Sequence, residues 1–501
     1  MRCPSIIILL LTLLTPSCTV TVSAQDKNPF NQSRQNVNNS KSAFNQSRSS
    51  NFNEYRQKIN VEYIRNIRGK WYDFIVNRGL KDPEKDVKPV GPVIMSDEDA
   101  KRERNNRQIA IDEVTTPIKD NRNIQPIAPV QEVPEQTPQY FHFPYLGTNL
   151  QVRKPQATVS MTGVSEDEVA NAWERLCEPA FNNLVIDCLK LRTSLQLCDW
   201  AYLMMLRALG DAYCGKNSNE ATLLMAYIYS QSGYKMRLGQ ANGQLHMIYA
   251  SQHNVYESPF FKLDGENFYV MNNDIHSLRI TKAKYPKEQS MSLWIAHNPN
   301  VPYSSSKTRT LTSQRYPDFS VTVATNKNLM PFYDSYPSSE VGGNFMTRWT
   351  MYANTPLAPE TEKQLYPQLK KLLQPHQQLE AVERLLNWVQ TAFIYEYDDK
   401  VWGGDRALFA EETLYYPYCD CEDRSILFTR LVRDLLGLKC ILIYYPGHLA
   451  AAVAFTQPPQ GDYIQVSGKR FTVCDPTYIG ASVGMTMPQM DNATANVIIL
   501  Q

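Results

Sequence analysis

Three residues late in the chain have the types and the setting for nucleophilic acyl chemistry: Cys421, His448 and Asp475. Cys421 lies where the loop YYPYCD gives way to a helical pattern with apolar positions at Ile426, Leu427, Leu431, Val432, Leu435 and Leu436. The free amides and partial positive charge of a helix start favour a thiolate, the competent nucleophile. His448 follows a Pro446-Gly447 turn and opens an apolar strand pattern. An imidazole there can take the thiol proton or hold a thiolate–imidazolium pair. Asp475 ends the next hairpin strand ahead of Pro476, where its carboxylate can accept from the ring and fix the tautomer. Singly, a buried cysteine, a lone histidine and an Asp-Pro turn are ordinary. Their convergence on one helix start and two successive strands points to a site. Glu422 and Asp423 oppose the helix-end effect on the thiol, so the direction of its shift stays open at this level.

The elements that must position the three occur twice. A helix ending at Gly437 feeds a strand, and a hairpin turns at Ser467-Gly468. Earlier, a helix ends at Gly233 and a hairpin turns at Asp264-Gly265. From helix-ending to hairpin glycine is 31 residues in the later copy and 32 in the earlier one. Cys421 and Asn217 each precede their helix-ending glycine by 16, and Asp475 and Asn272 each follow their hairpin glycine by seven. His448 stands 11 after Gly437 and His246 stands 13 after Gly233. This order predicts duplicated α+β units. Asn217, His246 and Asn272 form the degenerate set, with neither thiol nor carboxylate, so only the C-terminal copy can be catalytic.

The run DCEDRSILFTRLVRDLLGLK, then GHLAAAVAF, then FTVCDPTYIG resembles the core of the transglutaminase-like superfamily, in particular its bacterial cysteine-proteinase-like branch. The resemblance covers roughly residues 375 to 485. It implies a papain-like α+β core, with Cys421 as nucleophile, His448 as base and Asp475 as orienting carboxylate on an antiparallel sheet. Such proteins include transglutaminases, peptidases, other amidases and inactive members. Cys419 stands where family members commonly have glycine. No spacing singles out an aromatic oxyanion donor among Trp402, Tyr415, Tyr416 and Tyr418, so the backbone amide of Cys421 is the expected donor.

The remaining 501-residue chain constrains the setting. With 51 basic and 50 acidic residues it has no basic excess to suit nucleic acid. Residues 1–24 read as a signal peptide: Arg2, an apolar run from Ile6 to Leu14, and Val22-Ser23-Ala24 for cleavage. Export in soluble form, secreted or periplasmic, is expected; lipidation at Cys18 is the weaker alternative. Residues 25–139 are a low-complexity start with a PheAsnGlnSerArg echo, an amphipathic helix over Phe52–Phe74 that docks on its own chain or a protein partner, and a Pro-rich arm. A degenerate domain over 140–285, a connecting β/loop region over 286–358 and a catalytic domain over 359–501 complete the expected organisation. Cys419 and Cys421 are too close and isolated for a zinc half-site, so neither metal nor cofactor is expected. The expected activity is cysteine-dependent hydrolysis of an amide bond in a peptide or protein, cell-envelope components included. Alternatives are glutamine acyl transfer and a catalytically silent binding or assembly protein.

Overall fold

Two sheets, one antiparallel and one antiparallel except for a parallel strand at each edge, organise this mixed α/β chain, and each follows a helix that packs on it. The computed structural model describes residues 51–102, 104–111, 113–115, 123–271 and 274–501. The signal peptide with Cys18, the PheAsnGlnSerArg echo and Asn272 lie outside the described residues. The chain divides after Glu54. In the first unit residues 51–54 are helical; the second unit, Tyr55–Gln501, contains both sheets.

Helix α1 occupies residues 55–68 and buries Ile59, Tyr63, Ile64 and Ile67 against the chain's own core, with Tyr63 stacked on Tyr285 at 4.1 Å between centroids. The helix does not reach Phe74 as its spacing predicts. Helical structure stops at residue 68, and Tyr72–Ile75 form β1, paired along its whole length with a strand of the first sheet. The ladder supplies backbone partners that another helical turn would have supplied, and Trp71 stays buried by donating its indole N–H to Ile67 O at 2.7 Å.

The Pro-rich segment is an arm laid over the surface. It contributes β2 (Val93–Ile94), β3 (Arg107–Gln108) and β4 (Glu113–Thr115). Ser165 then caps the next helix in a capping box with Glu168. The first sheet comes after α2 (Asp199–Cys214) and α3 (Asn219–Gln231), and contains β5 (Met236–Ala241), β6 (Gln244–Ala250), β7 (Phe260–Leu263), β8 (Glu266–Val270) and β9 (Ser277–Ile280). Its order is β1-β9-β5-β6-β8-β7. The region 286–358, expected as connecting β and loop structure, holds a hairpin of Arg309–Thr312 with Ser320–Val323 and also the short helix α4 (Thr347–Asn354).

Helix α5 (Gln378–Ala392) buries Val382, Leu385, Leu386 and Val389, while Leu379 is exposed. Helix α6 (Cys421–Leu436) ends at Gly437, whose φ of 65° is the left-handed cap that glycine adopts freely. The second sheet comprises β10 (Lys439–Tyr445), β11 (His448–Ala454), β12 (Asp462–Val466), β13 (Lys469–Cys474) and, after β14 (Tyr478–Ile479), which among the described residues pairs only with β2, β15 (Asn496–Ile499), together with β3 and β4 of the arm. Its order is β3-β12-β13-β11-β10-β15-β4. Within the two sheets, β7-β8-β6-β5-β9 and β12-β13-β11-β10-β15 run in the same order with every neighbour antiparallel. Among the described residues no helix is long and apolar enough to cross a membrane.

Candidate active site

The start of α6 is fixed from both sides. Asp423 accepts from Asp420 N at 3.2 Å and from Leu408 N at 2.7 Å, so the first turn is tied to its own loop and to the preceding one. Buried Arg424 donates to the Gln390 and Phe393 carbonyls at 3.0 and 2.9 Å, anchoring α6 to the end of α5. Ser425 Oγ donates to Leu449 O at 2.7 Å and ties the helix to β11. Cys421, the first residue of α6, and His448, the first of β11, therefore face one cavity of about 500 Å³.

His448 Nε2 lies 2.9 Å from Asp475 Oδ2, and both side chains are sealed from solvent. The other carboxylate oxygen accepts from Thr477 N at 2.8 Å and Tyr478 N at 3.3 Å. Gln390 holds this loop by donating to the carbonyls of Asp475, Tyr478 and Ala481. His448 Nδ1 is buried with no hydrogen-bond partner among the described residues, leaving one ring nitrogen to move a proton.

The thiol's shift, whose direction the sequence leaves open, runs upward. Cys421 is 2% exposed, and its Sγ donates to Glu422 Oε2 at 3.0 Å. Burial pushes the thiol well above its ordinary value, and the carboxylates of Glu422 and Asp420 push it further. The Leu449 backbone N–H, directed at the sulfur, works the other way. All eight cysteines among the described residues are free.

Sequence spacing does not reveal two further parts of the site. The first is the arm: residues 84–89 form one wall of the cavity. They are held by Arg348 of α4, 1% exposed, which donates to both oxygens of Asp82 at 2.9 and 2.8 Å and to Asp405 at 2.7 Å. Tyr444 donates to Glu84, whose acid is raised to about 7 chiefly by burial. Val90 N donates to Gly447 O at 2.8 Å. A Cβ at Gly447 would stand 2.5 Å from Lys88 O, and its φ is 75°, so glycine lets the arm cross directly over the turn before His448.

The second is a group of acids. One oxygen each of Asp398, Asp405 and Glu422 lies within 4.8 Å of the others, as do those of Asp398, Asp420 and Asp423. Burial raises Asp398 to about 8, with Glu422 adding to the effect. Converging carboxylate oxygens of this kind could hold a hard divalent cation.

The earlier cleft corrects two of the predicted counterparts. Cys421 and Asn219 are the first residues of their helices. Asn219 Oδ1 accepts from Leu245 N at 2.9 Å, as the sulfur of Cys421 faces Leu449 N. The pair flanking the two-residue turn is Ala241 with Gln244 in one sheet and Tyr445 with His448 in the other. Asn219 and Gln244 therefore stand where Asn217 and His246 were expected. Asn217 precedes the helix with φ 57°, its N–H bonded to Asp211, and His246 sits two residues further along β6. In register, Val270 pairs with Ile248 as Val473 pairs with Ala452, four residues into each strand.

Comparison of the chain with protein-family models, with curated proteins and with solved structures gives no match in any of the three.

Proposed function

We propose that the chain is an exported cysteine-dependent amide-bond hydrolase of the transglutaminase-like type, acting on a peptide or protein. One observation carries this reading: a helix-start thiol and a histidine hydrogen-bonded to a buried aspartate line one cavity, and the second ring nitrogen of that histidine is unengaged. The common strand order of the two sheets supports descent from one duplicated unit with a papain-like arrangement of helix and sheet.

In the reaction His448 Nδ1 takes the proton of Cys421, and Asp475 holds the ring in the tautomer that leaves Nδ1 free for it. The thiolate attacks the carbonyl carbon. The oxyanion is placed for backbone N–H groups at the α6 start. Collapse passes the proton from His448 to the departing amine and leaves a thioester, which water attacks with the same imidazole as base. Since the resting thiol is bonded to Glu422, the sulfur must exchange that partner for the imidazole before attack. That sealed, protonated sulfur also favours a second reading, a catalytically silent binding protein.

An activity-based thiol probe, followed by Cys421→Ala comparison on peptide mixtures, separates the readings. Hydrolysis predicts labelling and new termini that vanish in the variant; acyl transfer predicts cross-linked mass instead. A folded, reduced protein that never labels at Cys421 overturns the enzyme reading.

A further inference from the structure

The earlier cleft has lost its chemistry but kept its space. A cavity of about 510 Å³ opens where α2 and α3 meet the turn and strand of β6, matching the place of the Cys421 cavity in the second sheet. Asn219 and Gln244 stand in the positions of the nucleophile and the base, so nothing there can attack a carbonyl or carry its proton.

What remains is suited to holding a chain. Arg207, on the exposed side of α2, lines the cavity with no hydrogen bond or ion pair among the described residues. The half-buried His246 ring and the Gln244 carboxamide also line it without a side-chain partner among those residues. Asp211 has one oxygen engaged by Asn217 N, leaving the second as an acceptor. Carboxamides and an imidazole complement the donors and acceptors of a peptide backbone, and a free guanidinium is suited to binding a carboxylate through two parallel hydrogen bonds.

We propose that this cleft is a non-hydrolysing binding site for peptide chains carrying a free carboxylate, with Arg207 as the anchor. It rests on the proposed function only in the expectation that both clefts handle peptides; binding itself requires no turnover. The site would retain a chain, or the acid-ended product of cleavage, on the same molecule that cuts it.

The test uses full-length Cys421→Ala protein, which cannot turn over, and calorimetric titration with an N-acetylated Ala-Gln-Gly-Ala peptide and with its C-terminal amide. The free acid is expected to bind with Kd on the order of 0.1–1 mM, and Arg207→Met to weaken it about tenfold or more while leaving the amide's affinity unchanged. Arg207 is exposed, so this variant should fold; Thr222→Trp, which fills the cavity, should also remove binding. Equal affinity of Arg207→Met and its parent for the acid, or no binding by the parent, overturns the inference. Turnover assayed separately with Cys421 intact keeps the two failures apart: lost hydrolysis with Arg207-dependent binding sinks the enzyme reading alone.

Discussion

Glu422→Gln tests the electrostatics of the nucleophile directly. Glu422 Oε2 and Cys421 Sγ are 3.0 Å apart. At an effective dielectric of about 20, unit charges at that separation repel by roughly 5.5 kcal/mol, an upper bound of about 4 pKa units. Relaxation of two short side chains and loss of the thiol's acceptor reduce this, so the working expectation is a fall of about 1–3 units in the Cys421 pKa. At fixed pH below both values, the thiolate population rises about 10- to 1000-fold. The assay is the pH dependence of iodoacetamide alkylation, read by mass spectrometry on the peptide containing Cys421, with a chelator present so that no cation on these oxygens masks the change. The seven other described cysteines serve as internal references. An unmoved profile, or one shifted upward, would refute the assignment of Glu422 as a charge that raises the thiol beyond the effect of burial.

Asp475→Asn should lower kcat/KM on a cleavable peptide by about 10²- to 10⁴-fold, since the ring loses its orienting charge; an effect under threefold would count against the triad. Asp82→Asn leaves Arg348 with Asp405 as its one ion-pair partner among the described residues. It should cost about 2–4 kcal/mol in urea unfolding and speed tryptic cleavage at Lys81 and Lys85; unchanged stability would mean the arm is held elsewhere. Glu84, Glu411 and Glu412 are raised to about 7 and Asp398 to about 8, mainly by burial. Their contribution to stability is full below the unfolded carboxylate values and is lost as pH rises through 7 and 8. Thermal midpoints should therefore fall across that window, less steeply in Glu84→Gln, and a midpoint that climbs with pH would contradict these shifts.

The placement of Cys421, His448 and Asp475 was legible because local signals fix it. A helical apolar period runs back to the cysteine, and Ser467-Gly468 adopts φ values of 50° and 74° that set the hairpin before Asp475. Gln244 stands 11 residues after Gly233 as His448 stands 11 after Gly437, so only its residue type hid that match; Asn217 was misplaced for a physical reason. Counting back from a helix-ending glycine assumes equal helices, but α6 has 16 residues and α3 has 13. Measured from the helix start and from the turn, the matches become Asn219 and Gln244. Asp398, Asp405 and the arm wall were illegible because they reach the site through tertiary contacts: Asp82 and Arg348 lie 266 residues apart, and polar loops carry no period to reveal such pairings. The thiol's direction needed coordinates too, since burial, which a sequence does not display, decided it.

The arm has a consequence for how the molecule assembles. Its β3 joins one edge of the second sheet beside β12, and its β4 joins the opposite edge beside β15. Arg107 and its partner Asp462 are 355 positions apart, and β4 pairs Glu113 with Asn496. Strands β3 and β4 therefore have no edge to join until β12 and β15, far later in the chain, have emerged, and such distant pairings form slowly. The early strands must wait unpaired for them, so a chain lacking β15 would leave β4 and the outer edge of β10 bare, an invitation to self-association.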